Sequence, residues 1–203
     1  MNTRFWFATP IYKGALSEAE QTLVAQEIDQ AIRDSQSASA FNTPWREPAL
    51  STTFKYDGQS NIIMERNLRH LAEQIAKYAH QFCVELKIDR YQSMHIENSW
   101  INVSKPNGFQ FSHTHEPSMV SGVYYHKTSG KDGNIIFESP NPYFTPYEFP
   151  NNGAECSRLA EYTPIAGRIL LFPSWLSHFV DVNKTQEERI SLSFNLRLTQ
   201  KTD

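Results

Sequence analysis

The chain has 203 residues, enough for one domain with a substantial hydrophobic core. Charged residues make up 20%, aromatics 13%, and the formal net charge is -3 with both signs mixed throughout; this composition is globular, and no lysine/arginine block interleaves with aromatics to suggest a nucleic-acid surface. No apolar run reaches the roughly 18 residues of a membrane span, and Cys83 and Cys156 alone do not make a disulfide framework, so no membrane insertion and a reducing cytoplasm are expected.

Residues 4–12, R-F-W-F-A-T-P-I-Y, read as an opening strand, and Pro10 cuts the hydrophobic run short of a secretion signal. The following segment is marked as a helix by Ser17 and Glu20, the two members of a capping box. Val24, Ile28, Ala31 and Ile32 continue it at helical spacing and define one apolar stripe. Residues 35–58 turn polar around Pro44 and Pro48 and read as a connection with a short strand near 51–56; Trp45 and Arg46 there are packing residues in the first instance. A second helix is predicted over 62–86, with Leu68, Leu71, Ile75, Tyr78, Phe82 and Leu86 on one face. His70 and His80 on that helix have no candidate ligand one turn away, so solvated or capping roles suit them.

After Lys87 the texture changes to short aromatic and β-branched runs separated by Gly, Pro and Asn. Strands are predicted at 96–103, 109–116, 120–126, 134–138, 168–172, 178–182 and 190–198, and the turns K-P-N-G (105–108) and T-S-G-K-D-G (128–133) favour antiparallel neighbours. Two helices followed by many strands imply an α+β chain with a β-sandwich or barrel. One domain over 1–203 is expected, with 1–94 as helical support and 95–199 as the barrel core. Residues 139–164 break the rhythm: Pro140, Pro142, Pro146 and Pro150 interleave with Tyr143, Phe144, Tyr147 and Phe149, a composition that suits an ordered lid, an interface or a loop packed over the barrel end.

The chemistry centres on F-Q-F-S-H-T-H-E, where His113 and His115 stand two residues apart in a predicted strand. Residues at i and i+2 share a strand face about 6.6 Å apart, close enough for two ligands on one metal ion. His178 lies far downstream, after the apolar run G-R-I-L-L-F-P-S-W, where a polar side chain needs a partner. Neutral imidazoles suit Fe(II), Zn(II) and similar borderline ions, so ligand type alone does not select the metal.

The ordered set H-x-H, S-G-V-Y-Y, L-L-F-P-S-W-x-x-H and E-E-R-I-S-x-S-F-N resembles the Fe(II)/2-oxoglutarate-dependent dioxygenases. It is most similar to their prolyl-hydroxylase branch and to an uncharacterised bacterial and phage group with an H-x-H motif. The resemblance covers residues 100–198, about half the chain, and implies a double-stranded β-helix (jelly roll, cupin-like) flanked by N-terminal helices. It also implies Fe(II) as the metal, with His113 as first ligand and His178 as distal ligand, and 2-oxoglutarate as co-substrate. Arg189 matches the residue whose rigid fork grips the far carboxylate of that co-substrate. Tyr125 is a second candidate contact, and Asn102 and Ser191 are candidate cavity residues. The implied activity is hydroxylation of a C–H bond coupled to release of succinate and CO2.

The chain departs from the family pattern at position 115, where the expected aspartate is His115. Strand alternation turns Glu116 away and Asp181 is out of phase with His178, so His115 is the preferred third ligand. Two alternatives stay open: a non-catalytic cupin-like binder of metal or small molecules, and a three-histidine iron dioxygenase that uses no 2-oxo acid. The substrate, small molecule or protein, is open, and a homodimer is as compatible with the sequence as a monomer.

Overall fold

Tyr124 and Tyr125, neighbours in one strand, are both buried but in different cores, and this division explains the architecture. In this computed structural model the described residues are 8–44, 46–55, 60–88, 91–141 and 158–200. The elements in chain order are β1 (Tyr12–Ala15), α1 (Glu18–Ser37), β2 (Leu50–Thr52), α2 (Ile62–Glu65), α3 (Arg69–Glu85), β3 (Tyr91–Ser104), β4 (Gln110–His113), β5 (Val120–Lys127), β6 (Ile135–Glu138), β7 (Leu159–Tyr162), β8 (Arg168–Pro173), β9 (His178–Val180) and β10 (Arg189–Gln200). They build a six-stranded sheet, β1-β8-β5-β10-β3-β2, and a four-stranded sheet, β4-β9-β6-β7. Every pairing between these strands is antiparallel. This is the jelly-roll arrangement expected from the sequence.

The large sheet is covered on both faces. Ile169, Leu171, Leu192, Phe194 and Leu196 pack against Val24 and Ile28 of α1 and Leu71, Ile75 and Phe82 of α3. Val123, Tyr125, Leu170 and Phe172 face the other way, onto Ile135 and Phe137 of the small sheet. Burial on both sides is why V-S-G-V-Y-Y and R-I-L-L-F read as continuous apolar runs.

The helices follow their sequence signals closely. Ser17 Oγ accepts from the Glu20 N–H at 3.4 Å while Glu20 Oε2 accepts from the Ser17 N–H at 2.8 Å, completing the capping box. The predicted second helix is divided, because Asn67 takes φ 51° between α2 and α3, a conformation asparagine tolerates better than most residues. No side chain of its own caps α3; instead Glu27 of α1 accepts from the N–H groups of His70 and Leu71 and pairs with His70 Nδ1 at 2.7 Å. His70 is thus a capping-site residue rather than a ligand.

Three other expectations change. The opening strand is shifted: β1 begins at Tyr12, and residues 4–7 lie outside the described set. The two turns join strands of different sheets, since β3 and β5 belong to the large sheet and β4 and β6 to the small one. Asn183 stitches the first of these crossings: its carbonyl accepts from the Asn107 N–H at 2.8 Å and its N–H donates to Gly108 O at 2.8 Å. Last, the predicted 139–164 loop contains β7 at its C-terminal end, while its proline–aromatic part, residues 142–157, lies outside the described residues, as does Trp45.

Candidate metal centre

His113 ends β4 and His178 begins β9, and the two are register partners across that ladder. His115 lies beyond the end of β4, so simple strand alternation does not place it. Its N–H donates to Ser174 O at 2.8 Å, and its own carbonyl accepts from the Ser118 N–H at 3.1 Å, folding the chain back toward the cavity. The three imidazoles converge: one potential ligand nitrogen from each lies within 4.8 Å of the others, and Nε2 of His115 is 3.3 Å from Nε2 of His178. Glu116 and Asp181 are outside this cluster.

The rings are oriented by the backbone. Nδ1 of His113 is 2.7 Å from Phe111 O, and Nδ1 of His178 is 2.9 Å from Leu176 O, in each case the carbonyl two residues earlier. Donation from Nδ1–H to these carbonyls leaves Nε2 with a free lone pair, the arrangement usual for a metal-bound histidine. Burial, reinforced by His113 and His178, lowers the His115 pKa to about 3, and burial with His113 lowers that of His178 to about 4. Both rings are therefore neutral donors at neutral pH. Trp100 packs on His115 with ring centroids 5.5 Å apart, and Phe172 meets His178 edge-on at 4.8 Å. Three convergent imidazole nitrogens, two of them with lone pairs oriented by the backbone, in an aromatic wall fit a divalent borderline ion such as Fe(II).

The large sheet supplies a cation to the same cavity. Arg189, Ser191 and Ser193 of β10 and Tyr125 of β5 line it together with the histidines. Arg189 is 3% exposed, and its Nη1 donates to Asp132 O at 2.9 Å and Gly133 O at 2.8 Å. Its Nε is buried with no hydrogen-bond partner. The buried Asp132 carboxylate acts on it only through space, because its oxygens accept from Thr128 Oγ1, the Ser129 N–H and Ser129 Oγ. Burial pulls the Arg189 pKa below its ordinary value, yet a guanidinium stays charged. A buried cation with an orphaned N–H is a receptor for an anion. Burial pushes Tyr125 up to about 12, so its phenol stays protonated and can donate.

Of the other predicted cavity residues, Ser191 is in the lining, whereas Asn102 reaches it indirectly by donating from Nδ2 to Ser193 Oγ at 3.2 Å. Sequence reasoning missed Ser193, Trp100 and Gln110. Ser193 was findable, because Arg189, Ser191 and Ser193 alternate with Ile190, Leu192 and Phe194 and so share one strand face. Trp100 and Gln110 carry no local signal.

Residues 98–195 match the family model described as "Putative 2OG-Fe(II) oxygenase". No curated protein matches the chain. Among solved structures, a Pseudomonas putida prolyl-4-hydroxylase is 18% identical over 94% of each chain, with a TM-score of 0.54. The alpha-ketoglutarate-dependent carbocyclase SnoK from nogalamycin biosynthesis is 11% identical over 93% of this chain and 79% of its own, with a TM-score of 0.66. HygX from Streptomyces hygroscopicus, solved with nickel and 2-oxoglutarate, is 11% identical over 95% of this chain and 84% of its own, with a TM-score of 0.59. At these identities the structures speak for the fold, and the matched segment carries the histidines and Arg189. Residues 98–195, just under half of the chain, are thus similar to the 2OG-Fe(II) oxygenases, and the chain shares the fold of the solved ones.

Proposed function

We propose that the protein is an Fe(II)- and 2-oxoglutarate-dependent dioxygenase in which His113, His115 and His178 hold the metal and Arg189 grips the distal carboxylate of 2-oxoglutarate. The observation that carries this reading is the meeting, in one cavity, of three convergent imidazoles and a buried guanidinium that no carboxylate of the described residues pairs with. A plain metal-binding barrel gives no reason for that buried charge, which is costly without an anion.

Each residue then has a task. The histidines bind as neutral donors, with Nδ1 of His113 and of His178 anchored to backbone. Arg189 keeps Nη1 on two carbonyls, which fixes the guanidinium plane and leaves Nε and Nη2 as the fork for a carboxylate. Tyr125 adds a hydroxyl donor on the same wall, with Ser191 beside it and Asn102 steadying Ser193. Trp100, Phe137 and Phe172 keep bulk water from the imidazoles. Bound at the triad, ferrous iron supplies the chemistry that couples dioxygen and decarboxylation of 2-oxoglutarate, giving succinate and CO2, to hydroxylation of a substrate C–H bond. Because all three ligands are neutral, the site keeps one more positive charge than a two-histidine, one-carboxylate centre, which favours a dianionic co-substrate.

We place the protein in the cytoplasm because its two cysteines are too few for a disulfide framework; no helix of the described residues is long and apolar enough to cross a membrane. The test of the function is succinate formation by protein loaded anaerobically with Fe(II) and then given 2-oxoglutarate and air. Turnover that disappears in His178→Ala and in Arg189→Gln is expected. Equal succinate formation by both variants and the parent would refute the assignment.

A further inference from the structure

Behind the imidazoles, on the opposite face of the small sheet, lies a second cluster that the proposed reaction does not use. Glu138 Oε2 accepts from Ser112 Oγ at 2.5 Å and from Ser177 Oγ at 2.5 Å, and the two hydroxyls are 2.8 Å apart. Ser112 immediately precedes His113, and Ser177 immediately precedes His178. The two imidazoles line the cavity and neither serine does; along β4, alternation turns Ser112 away from His113. The Glu138 N–H also donates to Ser177 O at 2.9 Å. One carboxylate thus ties the last residue before each strand-borne histidine across β4, β9 and β6.

We propose that Glu138 is a positioning residue of the metal centre: bridging Ser112 and Ser177, it fixes the spacing of His113 and His178 and places a negative charge behind them that the three neutral ligands lack. This inference rests on the triad reading above. The rings it spaces lie with centroids 4.4 Å apart, the shortest separation among the three imidazoles. The serine hydroxyls hold the Glu138 carboxyl below its ordinary range, so it is charged at neutral pH. Short hydrogen bonds to an ionised acceptor are the strong kind. Outer partners of this sort orient ligands and raise their basicity, and their loss typically costs about 10- to 100-fold in metal affinity. The half-buried position of Glu138 puts it at the lower end of that range.

The experiment is an anaerobic titration of Co(II) into the full-length wild type, Glu138→Gln, the double variant Ser112→Ala/Ser177→Ala, and His178→Ala. Glu138→Gln and the double variant should each bind Co(II) about tenfold more weakly. Both should show shifted visible absorption bands, while the melting transition of the metal-free protein stays that of the wild type. The double variant carries the test if Glu138→Gln fails to fold. Wild-type affinity and unshifted bands in these two proteins, with binding lost in His178→Ala, would overturn the role of Glu138 and leave the triad standing. Undiminished binding in His178→Ala would remove the triad itself, and this inference with it.

Discussion

His113 and His178 stand on strands of four and three residues, whereas Arg189 heads a twelve-residue strand paired on both sides. The small sheet carries two of the proposed metal ligands, with the third just beyond β4; the large sheet carries the proposed co-substrate clamp. The two are also secured differently. Arg189 is anchored by backbone carbonyls of the β5–β6 connection, on a sheet whose outer face is packed by α1 and α3. The histidines depend on local carbonyls and on the Glu138–serine bridge. Metal affinity and co-substrate affinity should therefore be separable by mutation.

The largest effect expected from breaking that division is His178→Ala, which removes a ligand from the small sheet. Fe(II) or Co(II) affinity should fall by more than about 100-fold, beyond the loss expected for an outer partner alone, as read by anaerobic titration. Arg189→Gln should come next: 2-oxoglutarate binding to metal-loaded protein weakens by about 2–5 kcal/mol in calorimetry, the usual cost of truncating one side of a buried charge pair. Metal affinity in that variant should stay at the parent value; a matching fall would show that the two sheets do not act separately. Ile75→Val, in the helical layer, should cost about 1 kcal/mol in denaturant unfolding without moving either affinity. The smallest effect is expected from Glu20→Gln, about 0.5 kcal/mol for a partly exposed pair.

That last variant also has a pH signature. The Ser17 N–H, followed by Lys77, holds the Glu20 pKa at about 2 against an ordinary 4.5. A depressed carboxylate pKa means that the unfolded chain takes up protons first as the medium is acidified. The stability difference between wild type and Glu20→Gln should therefore be full above pH 4.5 and fade between 4.5 and about 2, which unfolding curves at stepped pH will measure.

Much of the arrangement was legible in the sequence for reasons of short range. The capping box at Ser17 and Glu20, the stripe through Val24 and Ile28, and the strand runs of the barrel follow from periodicity within one element. The separation of α2 from α3 was not legible, because a single asparagine in a left-handed conformation leaves the apolar period intact across the break. Nor did the turns reveal that they cross between sheets: a turn sequence reports local dihedral angles, while the crossing is fixed by Asn183, some 75 residues away from Asn107 and Gly108. For the site, His113, His178 and Arg189 were found through ordered motifs. His115 was expected from strand alternation, yet it reaches the cluster through a backbone bond to Ser174 beyond the end of the strand. The Glu138 bridge was invisible, since Ser112 and Glu138 come from different strands and Ser177 from just before a third, and no sequence spacing links them.

The alternation along β10 has a consequence for how this chain can change over time. Its polar set, Arg189, Ser191 and Ser193, and its apolar set, Ile190, Leu192 and Phe194, are two messages interleaved in one strand. A substitution alters one letter of one message. Deleting a single residue between Arg189 and Phe194 would exchange the messages for the rest of the strand, turning apolar side chains into the cavity and serines toward the helices. The register shifts beside this segment, at Ile190/Ser191 against β5 and at Asn195/Leu196 against β3, place the extra residue on the partner strand (His126 and Glu97), so the alternation of β10 itself runs unbroken. Length variation among relatives should therefore be confined to the connections, with β10 of constant length from Arg189 to Asn195.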